Sequence, residues 1–444
     1  MILSEKIKIY GCLILSILLY VFVSFGLDRS DFYVLFSCYT FLFFFYYKLI
    51  QNPEINFKFL AISSIILRLS FAWSLPNLSQ DFYRFIWDGR LLVQGINPYI
   101  NLPIDLIVNS NFKMNQANEL VSKMGSLSAS HFSNYPPINQ LFFAIAGFLS
   151  NNSILGSVLI FRAIIILADL GTLYFGRKLL QNLGLNPNQL FWYLLNPLVI
   201  LELSGSLHFE GVMLFFLVWS LYLLHNEKWK TAAFIFGISV GVKLIPLLFL
   251  PLLYQKLKFK KTVVFSTIVI VLNIATFSPF LSHKLITNYS QTIGLYFTNF
   301  EFNASLYYIA RTIGYSFRGY NEIHIIGKYI PLVVILFVVF LTFFTKVKTT
   351  IELFNAFLLA ITIYYFTATT VHPWYITTLL LLTVFTKFKY PFYWSYVLIL
   401  SYFAYSNVVF KENMILIFIE YFVVFVFFGY GIKQRFFQKN KFIV

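Results

Sequence analysis

Residues 81–99 read DFYRFIWDGRLLVQGINPY, and they interrupt a chain that is otherwise mostly apolar. Two aspartates, two arginines and an Asn-Pro-Tyr turn fall within this short stretch. At about 100° per residue, Asp81, Arg84 and Asp88 share one helical face, with Tyr83, Trp87 and Arg90 on the opposite one. That pattern predicts a helix at a membrane interface, ended by Gly95 and Asn97-Pro98. The plain alternative is a solvated ion-pair ladder, worth only about 0.2–0.5 kcal/mol per pair. In a chain with 11% charged residues, four charges crowded here point to a site.

Moving outward, 59% of the 444 residues are hydrophobic and the mean hydropathy is +0.76. Segment after segment reaches the roughly 17–25 apolar residues that cross a bilayer. A soluble fold of this composition has no means of covering its surface. The apolar runs are continuous rather than alternating, which excludes a β-barrel. The fold class is therefore all-α, a polytopic helical membrane protein with about 11–15 membrane segments and helices in its extracytoplasmic loops. No repeat stands out, so residues 1–444 read as a single membrane domain.

The net charge of +16 does not mark a nucleic-acid partner. Basic residues gather in short clusters between apolar segments: Lys228/Lys230, Lys256–Lys261, Lys346/Lys348, Lys387/Lys389 and the tail Lys433–Lys441. This is positive-inside marking. Cys12 and Cys38 both fall in apolar segments, so neither a disulfide framework nor a cysteine metal site is expected. Lys6 and Lys8 precede a long apolar run with no small-residue cleavage site, and Asp28-Arg29 leads into the next span. An uncleaved first helix is expected.

Spans are predicted at 9–26, 31–50 and 58–76. With the N-terminus cytoplasmic, the long polar stretch 77–136 becomes the first large extracytoplasmic loop, and a loop of that length carries function or its own helices. Residues 138–150 are too short to cross comfortably. Spans follow at 154–175, 189–206 and 211–225. Arg162 and Asp169 lie within the first of these, and each is expected to pair with other helices. Basic clusters flank 231–255 at both ends while Gly241 and Pro246 break its middle. It reads as a hairpin with Lys243 at its outer tip; a single span is the alternative. After 262–280 comes a second extracytoplasmic loop, 281–325, and then segments 326–345, 351–370, 375–386, 390–408 and 414–432.

On this topology Asp81, Arg84, Asp88, Arg90, His208, Glu210, Lys243, Asn303 and His372 converge on the outer side. A Lys at membrane depth costs about 2.5–3.5 kcal/mol unless it snorkels to the headgroups, so Lys243 is a candidate for a lipid phosphate. His208 and Glu210 lack a third ligand at short spacing, so no metal site is assigned; no cofactor is required, and a divalent metal is left open. His372, ahead of Pro373-Trp374-Tyr375, suits hydrogen bonding or sugar stacking, or is simply a core histidine. These groups fit glycosyl transfer from a lipid phosphate. The phosphate already leaves well and needs only a cation to hold its charge, while the acceptor hydroxyl needs one carboxylate base. One essential carboxylate with cations is unlike the paired carboxylates of a glycosidase.

The pattern D-x-Y-R-x-x-W-D-G-R over 81–90, with Asn97-Pro98-Tyr99 and then Tyr135-Pro136-Pro137, resembles the first external loop of bacterial GT-C glycosyltransferases. These enzymes use polyprenyl-phosphate sugars, and many are mannosyltransferases. Asn196-Pro197 with His208 and Glu210, Gly241-Val242-Lys243 with Pro246, Asn303–Tyr307 and His372–Tyr375 extend the likeness from about residue 58 onward. The resemblance implies Asp81 as base and Lys243, with Arg84 and Arg90, as donor-phosphate ligands. Substrate contacts would come from Tyr83, Trp87, Asp88, Asn97, Tyr99, His208, Glu210, Asn303, His372, Trp374 and Tyr375. It also implies inverting transfer, of mannose in many members, from a polyprenyl-phosphate donor to a lipid- or glycan-linked acceptor at the outer face of a bacterial cytoplasmic membrane. The chain departs from the pattern in having two spans ahead of the one preceding the loop, and in lacking an adjacent acidic pair there. The Lys- and Asn-rich, Ala-poor composition also suggests a low-GC bacterium. The rival class is a transporter or lipid/glycan flippase, which calls for inverted repeats and broken helices near the midplane.

Overall fold

The computed structural model describes residues 2–407 and 409–440; position 408, which ends one expected span, and Lys441 of the basic tail lie outside them. Helices dominate, and the β-structure among the described residues is one isolated bridge, Phe302 to Thr370. Among the described residues, seven helices are long and apolar enough to cross a membrane, running from Lys6–Gly26 at one end to Met414–Arg435 at the other. Pro197–Gly205 and Glu210–His225 reach that length and hydropathy only as a pair, bent by 114° at the break between them, and three shorter apolar helices accompany them: Pro137–Leu149, Trp229–Val242 and Pro373–Thr383. Together these make eleven apolar segments, the lower end of the expected range.

Several expected spans are shorter than their hydropathy suggested. The segment 58–76 is a helix only over Phe57–Leu69, because Ser70–Ser74 turns and Pro76 cannot continue it. The segment 390–408 is α-helical over Tyr390–Val397 and then tightens to a 3₁₀ helix, Leu398–Ser406. The breaks cluster at prolines: Pro197, Pro246, Pro251 and Pro373 each open a short helical piece.

The hairpin reading of 231–255 has a clear form. Trp229–Val242 ends at Lys243, which is extended. The chain then returns through 3₁₀ turns, Ile245–Phe249 and Pro251–Leu253, into the helix Tyr254–Phe277. Lys261 lies over the Trp229 ring, Phe236 meets Phe265, and Asn273 donates to the Gly237 carbonyl. These pairs advance together, so the two helices run parallel and Lys243 stands at the tip between them.

The stretch 81–99 does not lie flat on an interface. It forms a helix, Asp81–Val93, whose residues Phe82 and Arg84–Leu91 are buried, so the expected two-faced surface helix is instead a loop core. Pro137–Leu149 packs on it backbone to backbone: a Cβ on Gly89 would fall 2.1 Å from the Phe143 carbonyl oxygen. Phe85 stacks on Phe143 at 4.7 Å, and Phe143 meets Phe209 edge-on at 5.3 Å. This aromatic column fixes the loop helix above the bend after Phe209. Ala117–Ala129 closes its other side.

The second loop carries helices His283–Thr298 and Leu306–Arg318. Phe302 stitches it to residues 369–371 through two backbone hydrogen bonds of 3.1 and 2.8 Å. Inside the bundle, Arg68 pairs with Asp169 at 2.5 Å. Arg162 donates to the carbonyls of Ser204, Ala72 and Ser74. Both intramembrane charges thus pair across helices as expected, and Arg162 ties down the bend itself.

Candidate active site

The site is assembled from elements far apart in the sequence. Asp81 opens the buried loop helix, its backbone N–H taking the Ser79 hydroxyl at 3.3 Å. His208 and Glu210 stand at the bend, where Leu207 takes a left-handed φ of +65° and the His208 N–H returns to the Glu202 carbonyl at 3.2 Å. Lys243, at the hairpin tip, forms an ion pair with Glu210. Glu210 is fully buried in the first turn of its helix, where the helix dipole favours a carboxylate. The lone phosphate-seeking cation of the sequence reading therefore has a protein partner.

His208, Trp374 and His372 form a continuous stack. Trp374 lies 3.6 Å from the His208 ring and 4.4 Å from the His372 ring, nearly parallel to both. Tyr375 meets His372 edge-on. Behind His208, its Nε2 is 3.6 Å from Glu202, and the Tyr402 hydroxyl donates to the same carboxylate. Tyr405 stands beside Tyr402, and the Arg29 guanidinium lies 4.4 Å over the Tyr405 ring.

Two titrations describe the local field. Burial raises the Asp81 carboxyl to about 6; Lys243 and Arg29 oppose the shift and Glu210 adds to it. The side chain keeps partial contact with solvent, so it is a crowded but reachable carboxylate. Burial, aided by Lys243, lowers His372 to about 3, which leaves its ring neutral. Among the described residues no three His, Cys, Asp or Glu side chains are grouped to hold a metal ion.

Other expected site residues hold the scaffold. Arg84 donates to Asp88 at 2.7 Å and to the carbonyls of Ser128 and His131. Asp88 is fully buried and also accepts from Ser133 and Gln140. Arg90 holds the carbonyls of Asn115 and Asn152. Both guanidinia are thus engaged with the loop. Trp87 is fully buried against Phe112, so it offers no face to a sugar. Tyr99 is buried and donates to the Tyr135 carbonyl, while Asn97 caps the turn by accepting from the Tyr99 N–H. Asn303 ties the second loop to Glu412 and Glu420. Tyr83 stays half-exposed, against Phe82.

Arg29, Glu202, Tyr402 and Tyr405 were not on the expected list. A signal existed for Glu202, an acidic residue inside an apolar segment, and for Arg29, in a turn placed on the same side as the loop. Asn77 donates to the carbonyls of Val23 and Leu27, tying that turn to the start of the loop. The tyrosines carry no such mark in a chain with 30 of them.

A family model described as alpha-(1->6)-mannopyranosyltransferase, N-terminal domain, matches residues 34–257, just over half of the chain. The chain belongs to this family. The matched region contains Asp81, His208, Glu210 and Lys243, so the core of the site lies within it; Arg29 and the His372–Tyr375 stack lie outside. Alpha-(1->6)-mannopyranosyltransferase B of Corynebacterium glutamicum is 28% identical over 171 residues, covering 37% of this chain and 27% of that protein. Alpha-(1->6)-mannopyranosyltransferase A of Mycobacterium tuberculosis is 26% identical over 186 residues, covering 40% of this chain and 33% of its own length. The chain thus matches about a third or less of either relative's length. No solved structure matches it significantly.

Proposed function

We propose that the protein is an inverting membrane mannosyltransferase that takes its sugar from a polyprenyl-phosphate donor at the outer face of the cytoplasmic membrane. The observation that carries this reading is that Asp81, from the polar loop, lies in the field of Lys243, from the tip of an apolar hairpin, and that the same lysine acts on His372 of the His–Trp–His stack. The relatives' activity as alpha-(1->6)-mannopyranosyltransferases suggests mannose, and an α product follows from a β-linked donor by one in-line displacement.

In that displacement the acceptor oxygen forms a bond to the sugar's anomeric carbon. The bond from that carbon to the phosphate oxygen breaks with its electron pair, leaving polyprenyl phosphate. Asp81 takes the hydroxyl proton, and a carboxyl raised to about 6 is a stronger base than an ordinary Asp yet ionised at neutral pH. Lys243, with Arg29 across the site, stabilises the departing phosphate's charge. The half-exposed end of the stack, at His372 and Tyr375, offers ring surface to the sugar.

The test is transfer in detergent or vesicles from a panel of polyprenyl-phosphate sugars to mannosyl acceptors. Mannose transfer that falls by about 10²–10⁴-fold in Asp81→Asn supports the reading. Transport of substrate across sealed vesicles without transfer refutes it in favour of the flippase class.

A further inference from the structure

At the far end of the Asp81–Val93 helix lies a cavity of about 550 Å³, separate from the Asp81–Lys243 group. That volume is in the range of small-ligand sites. It opens between the 112–119 segment and the turn at Asn152. Its walls are rich in amides, including Gln94, Asn115, Asn118 and Asn152, with Phe112 offering a ring. Lys113 and Glu119 contribute one charge of each sign.

The cavity is built from beneath. Arg90, buried in the helix, donates to the Asn115 carbonyl at 2.7 Å and the Asn152 carbonyl at 2.7 Å, clamping both walls. It also reaches the Gln116 side chain at 3.3 Å. Gln94 adds a bond to the Lys113 carbonyl. The rim residues Gln116, Asn151 and Asn152 all take left-handed φ values, 59°, 48° and 62°. Such strain costs of order 1–3 kcal/mol per residue and persists only where surrounding structure enforces it. Asn115, Asn118 and Asn152 are exposed, so their amides are turned to whatever fills the space.

We propose that this cavity binds a neutral oligosaccharide, the stem of a glycan acceptor whose growing end reaches Asp81. An amide both donates and accepts, as a sugar hydroxyl does. The Phe112 ring suits the apolar face of a pyranose. Arg90 lies about 14 Å from Asp81 by helical rise, a distance that a few sugar units bridge. The assignment rests on the glycosyltransferase reading for its direction, but the binding itself does not depend on turnover.

The probes are linear α-1,6-linked mannobiose and mannohexaose. Asn115→Ala/Asn118→Ala removes two exposed amides, and Asn118→Trp fills the space; neither touches the Arg90 clamp. Binding of the hexaose to the solubilised protein, followed by saturation-transfer NMR and fluorescence titration, should weaken by about tenfold or more in both variants, since each lost hydrogen bond is worth a few-fold in affinity. In the transfer assay the KM for hexaose should rise by a similar factor, while kcat, the donor KM and the KM for biose stay unchanged. Hexaose binding that needs Asn118, in a protein that transfers no sugar, upholds the cavity and refutes the enzyme reading. Transfer with hexaose KM unaffected in both variants, or no hexaose binding by the wild-type protein, overturns the cavity assignment.

Discussion

At Asp81 two demands oppose each other. A base must be ionised to accept a proton, yet burial favours its neutral form. The folded protein holds the Asp81 proton up to about pH 6, whereas an ordinary Asp releases it near 3.8. The rate should therefore rise with pH through about 6 and level off above it. Folding stability runs the other way: it increases as pH falls across that window, and above it the fold carries an ionised, crowded carboxylate. Asp81→Asn should accordingly melt at a higher temperature than wild type at neutral pH, with the gap closing in acid and moderated by partial solvent access. An inactive but no more stable variant would deny the carboxylate its strained setting. Lys243 makes a second prediction. Its loss leaves Glu210 buried and unpaired, an effect of about 3–5 kcal/mol, so Lys243→Ala must be read beside Lys243→Ala/Glu210→Gln. The double variant should regain stability but keep a raised donor KM and a lowered kcat. Wild-type donor KM in the stable double variant would reduce Lys243 to a structural ion pair.

The element that sets Asp81 in place is the loop helix, and its position depends on Gly89. The Phe143 carbonyl occupies the space of a Cβ there, and neither backbone can yield without separating the helices. Gly89→Ala should destabilise the protein by about 1–3 kcal/mol. It should also displace Asp81, for which a shift of about 1 Å can cost 10²-fold in rate. Thermal unfolding and turnover measured on the same sample check this; full activity would mean that the helix is placed by its arginines alone. Periodicity foretold a helix ending near Gly95, but assigned it an outward polar face. The charges on that face are satisfied from elements that the heptad-scale pattern does not contain: Ser128, His131, Ser133, Gln140 and Asn152 all come from later in the chain.

Across the whole molecule, the parallel run of Trp229–Val242 and Tyr254–Phe277 puts Lys243 and Lys258 at opposite ends of the hairpin. With the basic clusters inside, Lys113→Cys should react with an impermeant thiol reagent on intact cells, and Lys258→Cys only after permeabilisation. Both would be made in a Cys12→Ser/Cys38→Ser background. A labelled 258, or a protected 113, would invert the arrangement and move the proposed chemistry to the cytoplasmic side.

Composition and hydropathy by themselves determined that this is an all-helical membrane protein with one large polar loop. Burial in lipid leaves the backbone only helices or closed barrels to satisfy its hydrogen bonds, and continuous rather than alternating apolar runs exclude the barrel. The hairpin, too, was legible, from prolines and basic flanks. Only the tertiary structure decided which charges stay near the reacting centre. Arg84 and Arg90 look like ligands in the sequence because they are rare cations beside Asp81; Arg84 does pair with Asp88 one turn on, but the other partners of both are backbone carbonyls from later in the chain, which no sequence pattern marks. Arg29 and Glu202 join the site for the converse reason: their neighbours, Tyr405 and Tyr402, lie some 200 to 380 residues away, and proximity over that separation is set by packing alone.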